Sequence, residues 1–144
     1  MATLNSLEYA NTVAVPIIKN DTNIKGGKLR HLWFSYATAT ATPVSNGDVI
    51  IIGGLGTGDR ISSGYVTFGA MGASATLSIG TTADAVHYAN AIDVSAAGQT
   101  SFANTATLNF GEILAASTTL QLTAGGANYA SGKNILGHIT FERD

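Results

Sequence analysis

Three histidines and nine carboxylate side chains are the residues with which this chain could do acid–base or metal chemistry. Asp84, His87 and Asp93 fall within residues 72–98, GASATLSIGTTADAVHYANAIDVSAAG, and Glu112 follows shortly after. General acid or base work needs a second titratable group held in a cleft, and the set that would supply one is His87 or His138 gathered with Asp93 and Glu112. Nothing in the spacing gathers them. His31, His87 and His138 are far apart in sequence, without an H-E-x-x-H or an i, i+4 pair that offers a metal two ligands from one face. GGLGTG at residues 53–58 has neither the G-x-G-x-x-G nor the P-loop spacing, and strand-like sequence rather than a helix follows it, so it reads as a turn. Asn20-Asp21-Thr22 matches a glycosylation acceptor, a common chance pattern. Trp33, Phe34 and Tyr36 alternate along one strand-like segment and read as core or subunit-interface aromatics rather than as a stacking platform.

Composition narrows the classes further. At 144 residues and without cysteine, the chain suits one domain held by its apolar core, with no disulfide or thiolate metal site. A net charge of -2 with 11% charged residues offers no broad attraction to nucleic acid. The apolar fraction is 45%, rich in alanine, so much of the surface must be Ser, Thr, Asn, Gly and alanine methyls, a surface suited to close packing against neighbours. The N-terminus lacks a basic segment ahead of its short apolar patch, and Pro16 interrupts that patch, which argues against a secretory signal. No apolar run reaches the length of a membrane-spanning helix, so no membrane partner is expected.

The elements that must position these residues are mostly strands. Residues 1–28 keep no period and read as an irregular N-terminal arm, with residues 29–144 as the folded domain. Lys19, Lys25, Lys28 and Arg30 are four of the seven basic residues, and an arm that docks on an acidic partner competes with a solvated linker. In LRHLWFSYATATAT, Leu29, His31, Trp33 and Ser35 share one face, and Arg30, Leu32, Phe34 and Tyr36 take the other. Both faces are apolar near Trp33, so the core covers one, and an N-terminal segment or another subunit covers the second. Asn46-Gly47 predicts a tight hairpin turn before Val49–Ile52, a run apolar on both sides. Ala75, Leu77 and Ile79 face in while Thr76 and Ser78 face out. After Gly80, Ala85, Tyr88, Ala89 and Ile92 behind Thr82 and Asp84 predict one short helix, its carboxylates serving as caps. Strand pattern returns with Phe102, Ala106, Leu108 and Phe110, then Leu120 and Leu122, then Ile135, Ile139 and Phe141. About eight short strands with turns between them predict an all-β fold, an antiparallel β-sandwich of jelly-roll type.

These residues together are similar to a known class. Gly47-Asp48 before an apolar strand, Leu55 with Gly58, Arg60 and Ile61, the strand Thr76–Thr81, and Ala83–Ala85 leading to a terminal SAAG resemble the capsid decoration, or cement, proteins of tailed bacteriophages. The likeness spans about residues 29–142. It implies a jelly-roll subunit, often a homotrimer, seated on the phage head at junctions between major capsid proteins, with an N-terminal arm along the capsid. It departs from that class in a weakly basic arm and in lacking a long C-terminal receptor module. The resemblance implies a virion structural protein, assembled in the host cytoplasm, without enzymatic activity, cofactor or direct nucleic-acid contact. The competing reading is a glycan- or host-surface-binding sandwich of a phage tail, neck or head fibre, with Trp33, Tyr36 or Tyr65 as its platform.

Overall fold

A computed structural model describes residues 1–6, 9, 10, 13, 29–102 and 111–143. The strands are β1 Thr3–Asn5, β2 Leu29–Ala37, β3 Val49–Leu55, β4 Asp59–Phe68, β5 Thr76–Thr81, β6 Ala89–Asp93, β7 Gly98–Phe102, β8 Thr118–Gly125 and β9 Asn134–Arg143. They form a five-stranded sheet in the order β1-β3-β8-β5-β6 and a four-stranded sheet in the order β2-β9-β4-β7. All neighbours are antiparallel except β1, which runs parallel to β3. From β2 onward the chain crosses repeatedly between the sheets. The eight strands β2 to β9 therefore make a double-sheet jelly roll, with β1 as an added edge strand.

The period-two pattern sets the core. Leu77 and Ile79 of β5, Leu120 and Leu122 of β8, and Ile135 and Ile139 of β9 are all fully enclosed between the sheets. On β2 the inward face carries Leu32 and Phe34, and Phe34 stands opposite Gly137 of β9. A Cβ at Gly137 would lie 2.0 Å from the Phe34 ring, so this position admits the ring only because it has no side chain.

Two sequence expectations give way here. Asn46-Gly47 does make a positive-φ turn, with Gly47 at φ 91°, but the strands it joins do not pair as a hairpin. β2 lies against β9, and β3 lies between β1 and β8 in the other sheet, so the turn is a corner between layers. Buried Asp48 fixes that corner by accepting the Ser45 N–H at 2.9 Å and the Ala2 N–H at 2.7 Å. The short helix after Gly80 is replaced by a turn and a strand. Asp84 accepts the Val86 N–H at 3.1 Å through its carboxylate, and its own carbonyl accepts the N–H groups of Thr81 and His87. The Tyr88 N–H then returns to the Ile79 carbonyl at 2.9 Å, and Ala89–Asp93 pairs with β5 as β6. The sheet edge takes the backbone groups that a helix would have used internally, a tertiary override of a weak local signal.

Helical backbone among the described residues occurs instead at Tyr9, Ala10 and Val13, within the stretch read as an irregular arm. Buried Ser6 starts it: its hydroxyl accepts the Tyr9 N–H at 3.2 Å and its carbonyl the Ala10 N–H at 2.9 Å, an N-cap. Lys19, Lys25 and Lys28, the proposed contact cations of the arm, lie outside the described residues.

Candidate functional site

The carboxylate and histidine set that would suggest an enzyme is dispersed by the fold. Asp93 closes β6, and the Ser95 hydroxyl, then the Ser95 N–H at 2.9 Å, hold its carboxyl below the usual range. His138 is on the outer face of the other sheet. Only His87 and Glu112 meet, with Nε2 2.8 Å from the Glu112 carboxylate, while Nδ1 lies 3.4 Å from Asp84. A carboxylate at each ring nitrogen makes His87 a tie between the Asp84 turn and the Glu112 loop. Next to it, burial and then the Glu112 charge push the Tyr88 phenol up to about 12. No three His, Asp or Glu side chains converge as a metal site among the described residues.

GGLGTG, read as a turn, resolves as the last three residues of β3 followed by the corner at residues 56–58 before β4. Gly58 has φ 83°, a value that suits glycine, and the Gly56 N–H donates to the Asp59 carboxylate at 2.7 Å. That amide is spent on the chain's own carboxylate rather than presented to a phosphate. A shallow open depression between residues 67–69 and 132–134 contains Lys133 and Asn134, without an acid or histidine.

The distinctive surface is the outer face of the four-stranded sheet. Because β2 and β4 both pair with β9, Trp33, His138 and Tyr65 stand in one row across three strands. Ser101 of β7 extends that row, and the next holds Ser35, Leu136, Thr67 and Gln99. The Trp33 and His138 ring centroids are 4.2 Å apart, Tyr65 is 5.6 Å from His138, and Trp33 meets Tyr65 edge-on at 6.5 Å. His31, one row away, reaches His138 through Nδ1 and Nε2 at 2.8 Å. Trp33 is 46% exposed and Leu136 48% exposed. On β3, by contrast, the outward Val49 and Ile51 are buried within the chain. The two-sided apolar pattern of β3 is thus satisfied internally, and that of β2 is not.

The three sequence-selected aromatics separate accordingly. Phe34 is core, at 2% exposure. Trp33 is surface. Tyr36 lies on the inward side, half-buried against the core, where burial and then the Asp48 charge raise its phenol. A platform of Trp33 with Tyr36 is therefore ruled out, and Trp33 with Tyr65 is the pair that shares a face. Arg30 points to the opposite side from His31, in register with Phe141. Sequence reading missed that His31, Tyr65 and His138 share this face, because cross-strand register is set by the β2-β9-β4 order, which alternation alone does not encode.

No family model matches the sequence, and no curated protein matches it. Solved structures do match in fold. A chain in the capsid of Ralstonia phage GP4 aligns with a TM-score of 0.72 at 14% identity, over 99% of this chain and 98% of that one. The shared fold is the jelly roll. A chain in the Cyanophage Pam1 capsid asymmetric unit aligns with a TM-score of 0.66 at 16% identity, over 88% of this chain and 93% of the other. A chain in the acidic stable capsid structure of Helicobacter pylori bacteriophage KHP30 gives 0.57 at 14% identity, over 80% and 88%. At these identities the likeness is one of architecture.

Proposed function

We propose that this chain is a virion structural protein, a decoration or cement subunit that sits on the outside of a phage head and bridges major capsid proteins. The observation that carries the reading is the end-to-end match, 99% of this chain on 98% of a chain in the GP4 capsid, which leaves neither partner a substantial unmatched domain. The surface supports it physically. One sheet face keeps Trp33 and Leu136 open amid short polar side chains, which lose little rotamer entropy when a neighbour immobilises them. Repeated over a symmetric shell, contacts that are individually small become strong by multivalency.

In this reading the subunit is a homotrimer, and Lys19, Lys25, Lys28 and Arg30 meet acidic patches of the capsid. Mass spectrometry and cryo-EM of virions purified from the source of the sequence test the placement. Density for the sandwich on the outer shell at junctions of capsid subunits is expected; density inside the shell, or the absence of the chain from the particle, overturns it. Native mass spectrometry of the purified protein tests the trimer.

A second reading has one observation in its favour, the shared face of Trp33, Tyr65 and His138. Aromatic rings with hydrogen-bonding neighbours and little net charge suit a neutral sugar ring, which would make the chain a glycan-binding sandwich. A glycan array in which the wild type binds and Trp33→Ala does not would favour it; an array with no binder removes it.

A further inference from the structure

We propose that His31 and His138 form a proton-sharing pair that makes the outer face of the four-stranded sheet responsive to pH: the pair accepts one proton with its bridge intact, and the second proton breaks the bridge beside Trp33. The geometry is specific. The Nδ1 to Nε2 distance is 2.8 Å, while the ring centroids are 4.9 Å apart and the planes differ by 18°. That centroid separation nearly equals the nitrogen–nitrogen distance plus two ring radii, so the nitrogens meet head-on with the rings close to one plane.

A head-on contact of this length holds one hydrogen, donated by one N–H to the lone pair of the other ring. A first added proton goes to the far nitrogen of the donor ring, and the bridge becomes a stronger imidazolium–imidazole hydrogen bond. The second must take the bridging lone pair itself. Two N–H groups would then face each other, each on a charged ring, and the rings have to part. Thr140 Oγ1, 3.4 Å from His31 Nδ1, is placed to accept that N–H once they do.

The surroundings add little compensating charge. On β9, Glu142 is one row beyond His31 and is paired with Arg60 of β4 at 3.9 Å. On β4, Tyr65 faces the pair as a phenol; β7 contributes Ser101 and Gln99; on β2, Arg30 is turned to the opposite side; and Lys133 lies beyond the start of β9. Burial, and then the charge of His31, hold His138 below the ordinary histidine value of 6.5. The split between the two steps follows from geometry and is reinforced by enclosure under Trp33.

The protein reports on its own pair, because Trp33 is the single tryptophan and sits on His138. Imidazole Cε1–H NMR shifts and tryptophan emission would be followed on the full chain between about pH 8 and about pH 4, with far-UV circular dichroism in parallel. The expected result is two steps for His31 and His138 separated by more than about one pH unit, with emission following the lower one. His31→Gln should raise the His138 midpoint and move the emission step with it, and His138→Gln should abolish that step. A common single step at the ordinary histidine value, a His138 midpoint unmoved by His31→Gln, or an emission change that coincides with loss of the sheet signal would each overturn the proposal.

Discussion

Truncation of Trp33 and of Phe34, neighbours on β2, should differ in cost by a factor that the fold predicts. Phe34 is enclosed between the sheets over Gly137, and nothing at that glycine can swing in to fill the space. Phe34→Ala should therefore sit within the range for a buried aromatic, about 3–5 kcal/mol. Trp33 keeps 46% of its surface exposed, and its removal opens a gap to water rather than a cavity. Half of an aromatic's usual burial at about 25 cal/mol per Å² gives an upper bound of about 3 kcal/mol for Trp33→Ala. For a chain of this size each kcal/mol moves Tm by about 4 °C, so Trp33→Ala should lose less than about 12 °C and Phe34→Ala about 12–20 °C. Urea titrations followed by far-UV circular dichroism measure both variants on the same footing, since fluorescence is lost with Trp33. Equal costs would refute the assignment of Trp33 to an open face, and with it the idea that this face is left for a partner.

Three further predictions rest on separate contacts. Gly137→Ala should destabilise by about 1–3 kcal/mol through overpacking against the Phe34 ring, and Phe34→Leu should recover part of it; a strictly additive double-mutant cycle in urea would refute the contact. Tyr129→Phe removes the hydroxyl that donates to the Thr76 carbonyl at 2.6 Å and should lower the urea midpoint by the equivalent of about 1–3 kcal/mol with the slope unchanged. Asp48 is held below the usual carboxylate value of 3.8 by the Ala2 and Ser45 N–H groups. As pH falls through that value the unfolded chain protonates first, so the stabilisation present at neutral pH is lost on acidification. Asp48→Asn should flatten this part of the pH–stability curve. Hydrogen exchange of the Ser6 and Val49 amides, which bond to Ile51 and Ala2, should also speed by at least about tenfold.

Alternation by itself was enough to assign Leu77 and Ile79 to the core with Thr76 and Ser78 outside, because successive side chains of a strand point to opposite faces wherever it lies. Those patterns, with frequent turn residues and no long helical period, determined an all-β sandwich of jelly-roll type. The positive-φ glycine at 47 was equally legible, since a backbone conformation is a local property. What it connects was not. Whether Asn46-Gly47 closes a hairpin or turns a corner depends on where β8 and β9 run, strands far later in the chain. The helical spacing after Gly80 yielded to strand pairing for the same reason, as β5 offered backbone partners that the segment could not see locally. His31, Trp33, Tyr65 and His138 are scattered over more than a hundred residues of sequence. Only the order β2-β9-β4 and its register bring their rings together, because the energy of a sheet is earned between strands and not along them.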